Sequence, residues 1–242
     1  MMELDRIRRE CRDALEVVAV FDQTAARFPI DRIGGRSIAL TCAEVTAGLS
    51  YPGKHRSHPG TFWPENIDLP LLWFFHANTG FDYYWLLEYD VRFSGHWRSF
   101  FDSFADSDSD LLATGMYDHP FRPAWSHWPS FQGPPDVPEA DRTRATLSLY
   151  RVSRRALEVL HAAYRGGCRG HYEVTVPTVV KHAGLTLEDI GGSGAYVREG
   201  NRDRFYLNTP GAKGLAPGTF VLHEEDRLQD YIPGMLWNPF KN

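Results

Sequence analysis

The segment 83–93 constrains the fold of this chain more than any other. Its residues are aromatic or aliphatic except for Glu88, Asp90 and Arg92. Such a run is typical of a strand buried in a sheet. Residues two apart on a strand point to the same face. We therefore predict that Glu88 and Asp90 lie side by side at the carboxyl end of a buried strand.

Strand and helix patterns alternate along the rest of the chain. Apolar or β-branched runs predict strands over 17–21, 37–41, 147–152 and 219–222. Helical spacing predicts helices over 3–15 and 154–164, the second capped by Ser153. A helix is also predicted over 69–77, with Asp68 as cap and Pro70 in its first turn, and a short one over 97–104. The segment 171–182 is ambiguous, because its β-branched residues suggest a strand, but its length and Gly184 favour a helix from near Glu173. Proline-rich loops occupy 50–66 and 119–138. The alternation predicts an α/β protein, and no repeat or linker divides it, so we expect a single domain over 1–242.

Composition narrows the classes of protein to which the chain can belong. It has 242 residues, 43% of them hydrophobic, a formal net charge of −5 and interspersed charges. This argues against a non-specific nucleic-acid binder and against a membrane-surface partner. The cysteines number three, are scattered and form no CxxC, which favours a reducing compartment. With no signal-like N-terminus and no apolar run long enough to span a bilayer, we expect a cytoplasmic protein.

The two acids need a physical reason for their position. An ionised carboxylate is costly to bury unless it is paired or binds a cation, and ligands of open α/β sheets bind at the carboxyl ends of the strands. Oxygen ligands favour Mg²⁺ or Mn²⁺, which can bridge a diphosphate. The alternative is that the strand has ended by Glu88, so that both acids are solvated or one pairs with Arg92.

The sequence DYYWLLEYDVRFSGHW at 82–97 resembles the central motif of a family of poorly characterised bacterial and fungal domains. Those domains are similar to nucleotide-diphospho-sugar transferases of the GT-A type. Two further segments, VSRRAL at 152–157 and HYEVTVPT at 171–178, match in the same order. The resemblance covers roughly 60–185. It implies a GT-A-like three-layer fold with a mostly parallel central sheet, in one GT-A-like domain over 1–242.

The resemblance also implies an activity and its residues. The chain is expected to move a sugar from a nucleotide-sugar donor to an unknown small-molecule or glycan acceptor, assisted by Mn²⁺ or Mg²⁺. Asp90 and Glu88 match the acids that hold the metal, although the family usually has Asp at the first of these positions. The remaining expectations are a metal-binding His223, a donor-binding Asp22 near the base or ribose, and Glu173 as the general base.

Two of these sites have plainer readings. His96 follows the acidic motif and is a candidate to contact phosphate, but a surface or hydrogen-bonded histidine is the more common arrangement. Glu173 is equally explained as an acid favoured at a helix start by the helix dipole.

Two other classes of function stay open. One is a different nucleotide or phosphoester enzyme, such as a nucleotidyltransferase or a metal-dependent hydrolase, built on the same acids. The other is a non-catalytic carbohydrate- or protein-binding domain that uses the aromatic loops at 62–64 and 117–131. Motifs for a phosphate-binding loop, a dinucleotide site, a zinc protease and a serine nucleophile are absent from the sequence.

Overall fold

A computed structural model describes residues 2–54, 59–121, 123–207 and 233–239. Its six helices are α1 (Met2–Cys11), α2 (Cys42–Leu49), α3 (Leu69–Ala77), α4 (Trp97–Asp102), α5 (Arg154–Arg165) and α6 (Tyr172–His182). The strands in these ranges are β1 (Ala19–Asp22), β2 (Ser37–Leu40), β3 (Tyr83–Leu87), β4 (Arg92–Phe93), β5 (Leu111–Asp118), β6 (Thr143–Ser153), β7 (Leu187–Asp189) and β8 (Leu236–Trp237). The predicted strand at 219–222 and the candidate ligand His223 lie outside the described residues.

The main sheet has four strands in the order β3-β6-β5-β7. Strand β6 runs antiparallel to both β3 and β5, whereas β5 and β7 are parallel. Parallel β1 and β2 form a separate pair, and so do antiparallel β4 and β8. The predicted α/β class is confirmed, and the four-stranded sheet is mixed instead of mostly parallel.

Two hydrophobic clusters enclose this sheet. One joins residues of α2, α3, α5 and α6 to one face, and the other joins residues of α1 and α4 to the opposite face. Neighbouring residues of one strand divide between them, since Leu111 belongs to the first cluster and Leu112 to the second. Successive side chains of a strand point to opposite faces, so the sheet lies between the clusters.

The ends of two helices test the predicted caps. Ser153 accepts a hydrogen bond from the Ala156 amide and caps α5, as predicted. Asp68 precedes α3 but makes no capping hydrogen bond. Its carboxylate instead pairs with Lys54 and accepts a hydrogen bond from Tyr164. Because Asp68 is buried, a charged partner and a hydroxyl compensate its desolvation better than one amide would.

Strand β6 is irregular near its middle. Thr146 pairs with Thr114, but Arg151 pairs with Leu112, so the register shifts between these positions. The amide of Leu147 leaves the ladder and donates to a carboxylate oxygen of Glu173. A local irregularity of this kind re-aims backbone groups and is often found beside functional sites. None of the helices in the described ranges is long and apolar enough to cross a lipid bilayer.

Candidate acidic site

The acidic motif lies in a turn at the end of β3. The pairing with β6 ends at Leu87, opposite Leu149, and the Glu88 amide then donates to the Ser148 carbonyl. The Val91 amide donates to the Glu88 carbonyl, which closes a four-residue β-turn. The prediction of one strand over 83–93 was therefore wrong. Strand β3 ends at Leu87, in agreement with the alternative in which the strand has ended by Glu88.

The two acids nevertheless remain withdrawn from water. Asp90 is only 9% exposed, and its Oδ1 accepts a hydrogen bond of 2.9 Å from Asn238 Nδ2. Glu88 Oε1 is buried and has no hydrogen-bond partner among the described residues. Tyr89, between them, is 86% exposed. The turn thus carries two carboxylates that are shielded from water, with the exposed Tyr89 side chain between them in the sequence.

The electrostatics of Glu88 show which groups surround it. Burial raises the pKa of Glu88 to about 7, and the negative charges of Asp90 and Glu173 add to this rise. The Ser148 hydroxyl acts in the opposite direction. A buried acid beside like charges favours its protonated form. Glu88 and Asp90, together with Glu173 from a distant part of the sequence, therefore belong to one electrostatic cluster.

Glu173 enters this cluster from the start of α6. The helix begins at Tyr172, as the sequence predicted to within one residue, and His171 Nδ1 accepts a hydrogen bond from the Glu173 amide. A carboxylate oxygen of Glu173 accepts a hydrogen bond of 3.4 Å from the Leu147 amide. Burial raises the pKa of Glu173, while the positive charge of Arg144 and the Leu147 amide oppose the rise. Glu173 thus lies at a helix start, and its charge contributes to the raised pKa of Glu88.

A polar and aromatic wall, absent from the sequence-based prediction, adjoins Glu173. Arg144 is 1% exposed, and its guanidinium carbon lies 4.2 Å from the centroid of the Trp125 ring. The rings of His127 and His171 are 4.2 Å apart between centroids. Burial, together with the nearby His127 and cationic side chains, lowers the pKa of His171 to about 3, so its imidazole is neutral. Arg144, a charged residue within strand β6, was the sequence feature that could have indicated this wall.

Two other predicted residues have local contacts. Asp22 is exposed at the end of β1, where its Oδ1 accepts a hydrogen bond of 2.8 Å from the Thr24 amide. His96 precedes α4, and its Nδ1 lies 4.0 Å from an oxygen of Glu10 on α1. Neither contact involves the acidic turn, so the donor-binding roles of Asp22 and His96 stay predictions.

The suitability of the acids for a cation follows from their chemistry. Within the described ranges, no group of three or more His, Cys, Asp and Glu side chains is placed to hold a metal ion. Mg²⁺, however, is usually bound by one or two carboxylates together with water and substrate phosphates. Glu88, with its buried and unpartnered oxygen, and the adjacent Asp90 fit this donor set.

One segment of the chain is similar to a known family. Residues 36–108 are similar to a family described as a protein of unknown function, DUF3405. The matched segment runs from β2 through α4 and includes the acidic turn. No curated protein matches the chain. The family description names no activity, so the functional argument rests on the site itself and on the resemblance of 82–97.

Proposed function

We propose that this protein is a metal-assisted glycosyltransferase that moves a sugar from a nucleoside diphosphate donor to a hydroxyl acceptor. The observation that carries the proposal is the cluster of Glu88, Asp90 and Glu173, in which a buried oxygen of Glu88 has no hydrogen-bond partner within the described part of the chain. The resemblance of 82–97 to GT-A-like domains supports a nucleotide-sugar as donor. A sheet between two helical clusters agrees with a GT-A-like three-layer arrangement.

Glu88 and Asp90 are the residues proposed to hold Mn²⁺ or Mg²⁺. When bound, the cation neutralises the charge that the leaving diphosphate gains. A positive charge at this position would also relieve the repulsion among the three acids and lower the pKa of Glu88 from about 7. Asn238 keeps one oxygen of Asp90 in place through its hydrogen bond.

Glu173 is the proposed general base that takes the proton of the acceptor hydroxyl. A base is most effective when its pKa approaches the working pH, and burial moves the pKa of Glu173 in that direction. The Leu147 amide orients one carboxylate oxygen. The positive charge of Arg144 opposes the rise in the pKa of Glu173.

Tyr89 is the proposed contact for a ring of the substrate. Its side chain is exposed, while its backbone lies in the turn between the two acids. Arg92 Nη1 donates to the carbonyls of Tyr89 and Val91 at 2.7 and 2.9 Å, which stiffens this turn. A fixed aromatic face suits stacking against a nucleobase or the apolar face of a sugar.

The experiment is thermal unfolding with a panel of nucleoside diphosphates and their sugars, with and without Mn²⁺. A ligand that binds only the native state adds about 2.7 kcal/mol of stability at a hundredfold excess over Kd. We expect one donor to stabilise the wild type only with metal, and Asp90→Asn to lose this effect. Asp82→Asn, at an exposed acid before β3, is the matched control and keeps the shift.

Product analysis then separates the proposal from its alternatives. We expect Glu173→Gln to keep donor binding and to lose sugar transfer. Donor hydrolysis without any acceptor product would point to a different nucleotide or phosphoester enzyme. Sugar binding that survives Asp90→Asn and needs no metal would point to a binding module. The absence of a shift with every donor, in a folded protein, would overturn the proposal.

The aromatic loops give less support to the binding-module alternative. Trp128 is fully buried, and Trp125 packs beneath Arg144. Trp63 and Phe121 are exposed, and Phe121 stacks on Tyr117 with ring centroids 5.1 Å apart. The tryptophans of 117–131 thus serve the core and the wall of the acidic site.

A further inference from the structure

Three side chains meet at the surface between α3 and α5, away from the residues assigned to glycosyl transfer. His76 is in the last turn of α3, His161 is on α5, and Tyr51 follows α2. The Nδ1 atom of His161 lies 2.9 Å from His76 Nε2 and 2.8 Å from the Tyr51 hydroxyl. His76 is exposed, His161 is half-buried and Tyr51 is buried.

The partners of His161 Nδ1 outnumber the hydrogen bonds that this nitrogen can make. A neutral imidazole nitrogen carries either one in-plane lone pair or one N–H group. His161 Nδ1 therefore cannot make a full hydrogen bond to both of its neighbours at once. Only a shared, bifurcated hydrogen bond can serve both neighbours of this nitrogen, and an additional electrophile could satisfy the two imidazole nitrogens better.

We propose that His76 and His161 form a binding site for a divalent transition-metal ion of the imidazole-binding class, Cu²⁺, Ni²⁺ or Zn²⁺. The ligand atoms are His76 Nε2 and His161 Nδ1. Each ring then carries its proton on the other nitrogen, so both imidazoles stay neutral. Water completes the coordination, and the Tyr51 hydroxyl hydrogen-bonds to a bound water.

The distance between the two nitrogens fits this assignment. At metal–nitrogen distances of about 2.0–2.1 Å, two ligands at a right angle lie about 2.9 Å apart, and two tetrahedral ligands about 3.3 Å apart. The observed 2.9 Å separation equals the distance between two adjacent ligands of square-planar or octahedral Cu²⁺ and Ni²⁺. Zn²⁺ requires a small opening, which the exposed His76 ring permits.

The protonation states agree with metal binding. Metal ligation needs a neutral imidazole, and burial lowers the pKa of both His76 and His161, with the charge of Arg165 as a further cause. Burial also raises the pKa of Tyr51 well above its usual range, which keeps the phenol neutral and makes it a hydrogen-bond partner. Arg165, one turn after His161 on α5, limits the affinity through repulsion.

The test is calorimetric titration of the untagged protein with Ni²⁺, Zn²⁺ and Cu²⁺, with His76→Gln and His161→Gln as variants. Loss of an outer-shell partner of a metal site commonly costs about 10–100-fold in affinity. We expect loss of a direct ligand to cost at least as much in each variant. His182→Ala, at an exposed histidine at the end of α6, is the matched control and keeps wild-type affinity. Thermal melting without metal verifies that all variants fold.

Electron paramagnetic resonance of the Cu²⁺ form gives a second, structural readout. We expect nitrogen hyperfine coupling from two imidazoles in the wild type and from one in His76→Gln. Tyr51→Phe should retain the two-nitrogen signal because the phenol is not a ligand. Wild-type metal affinity in both folded glutamine variants, or a copper spectrum unchanged by them, would overturn the proposal. Neither result depends on sugar transfer.

Discussion

Glu88 illustrates how neighbouring residues set the state of one side chain. The sequence places it next to Asp90 in a tight turn, and the fold adds Glu173 from a helix that begins more than eighty residues later. Burial contributes the largest part of the rise in its pKa to about 7. Near neutral pH, Glu88 therefore exchanges a proton under conditions in which an ordinary glutamate is fully ionised.

A pH-dependent stability follows from this residue. Because the folded-state pKa is raised above the unfolded value, the native state pays no penalty below about pH 4.5 and the full penalty above about pH 7. Glu88→Gln removes the charge. We expect it to raise the free energy of unfolding at pH 8 by up to about 3 kcal/mol and to change it little at pH 4.5.

Chemical denaturation at the two pH values measures this difference. Glu158→Gln, at an exposed position on α5, is the control and should stay within about 0.5 kcal/mol of wild type at both. A stabilisation by Glu88→Gln of equal size at pH 4.5 and pH 8 would contradict the electrostatic origin.

Among the elements, β5 depends on side chains from beyond the sheet. Its register shifts between Thr114 and Tyr117, around Gly115 with φ +60°. The Gly115 amide donates to the Tyr206 hydroxyl, and the Met116 amide to Asp189 Oδ2, both at 2.9 Å. Two side chains thus satisfy backbone amides that the irregular ladder leaves unpaired.

The Tyr206 hydroxyl is central to this arrangement. It also donates to Asp189 Oδ1 at 2.6 Å, so Tyr206→Phe leaves a buried amide without an acceptor and removes a donor from a buried carboxylate. We expect the free energy of unfolding to fall by about 1–3 kcal/mol in urea denaturation. Tyr196→Phe, in a partly exposed network with Asp118 and Lys181, should cost less than about 1 kcal/mol. Equal costs would contradict this account.

Ser153, the residue that caps helix α5, makes two hydrogen bonds through its hydroxyl. Ser153 Oγ accepts a hydrogen bond from the Ala156 amide and donates to Asp110 Oδ1 at 2.6 Å. We expect Ser153→Ala to destabilise the protein by about 1–2 kcal/mol. Ser153→Thr keeps a hydroxyl, so we expect it to retain most of the wild-type stability in thermal melting. If both variants melt alike, the hydroxyl is not responsible.

For the whole molecule, a buried ion pair joins segments that the sequence separates. Lys54 Nζ lies 3.2 Å from Asp68 Oδ2, and the Tyr164 hydroxyl of α5 donates to the same oxygen at 2.6 Å. The Lys54 ammonium also lies 4.4 Å from the centroid of the Tyr164 ring. The segment after α2, the start of α3 and helix α5 thus meet at one carboxylate.

A double-mutant cycle tests this connection. Asp68→Asn leaves the Lys54 ammonium buried without a counter-charge, so we expect a loss of about 3–5 kcal/mol. Adding Lys54→Met should restore a large part of it, because no buried charge then remains. Denaturation of all four forms gives the coupling energy. Strictly additive effects would contradict a direct interaction.

Local sequence patterns were sufficient for much of the secondary structure. Helical periodicity identified α5, cap and boundary residues identified α3 and α6, and apolar runs identified β1, β2 and β6. Ser153 was recognised as a cap. These features depend on residues a few positions apart. For the same reason the sequence identified the α/β class and the acidic motif at the end of β3, but not where that strand ends.

Only the tertiary structure decided the rest. The pairing of β3 with β6 ends at Leu87, and the role of Asp68 depends on Lys54 and Tyr164. Glu173 and Arg144 join the acidic site through packing between distant segments. Sequence determines what each short segment prefers, because those preferences arise from near neighbours. Burial, strand register and the pKa of a carboxylate arise from groups that meet only when the chain has folded.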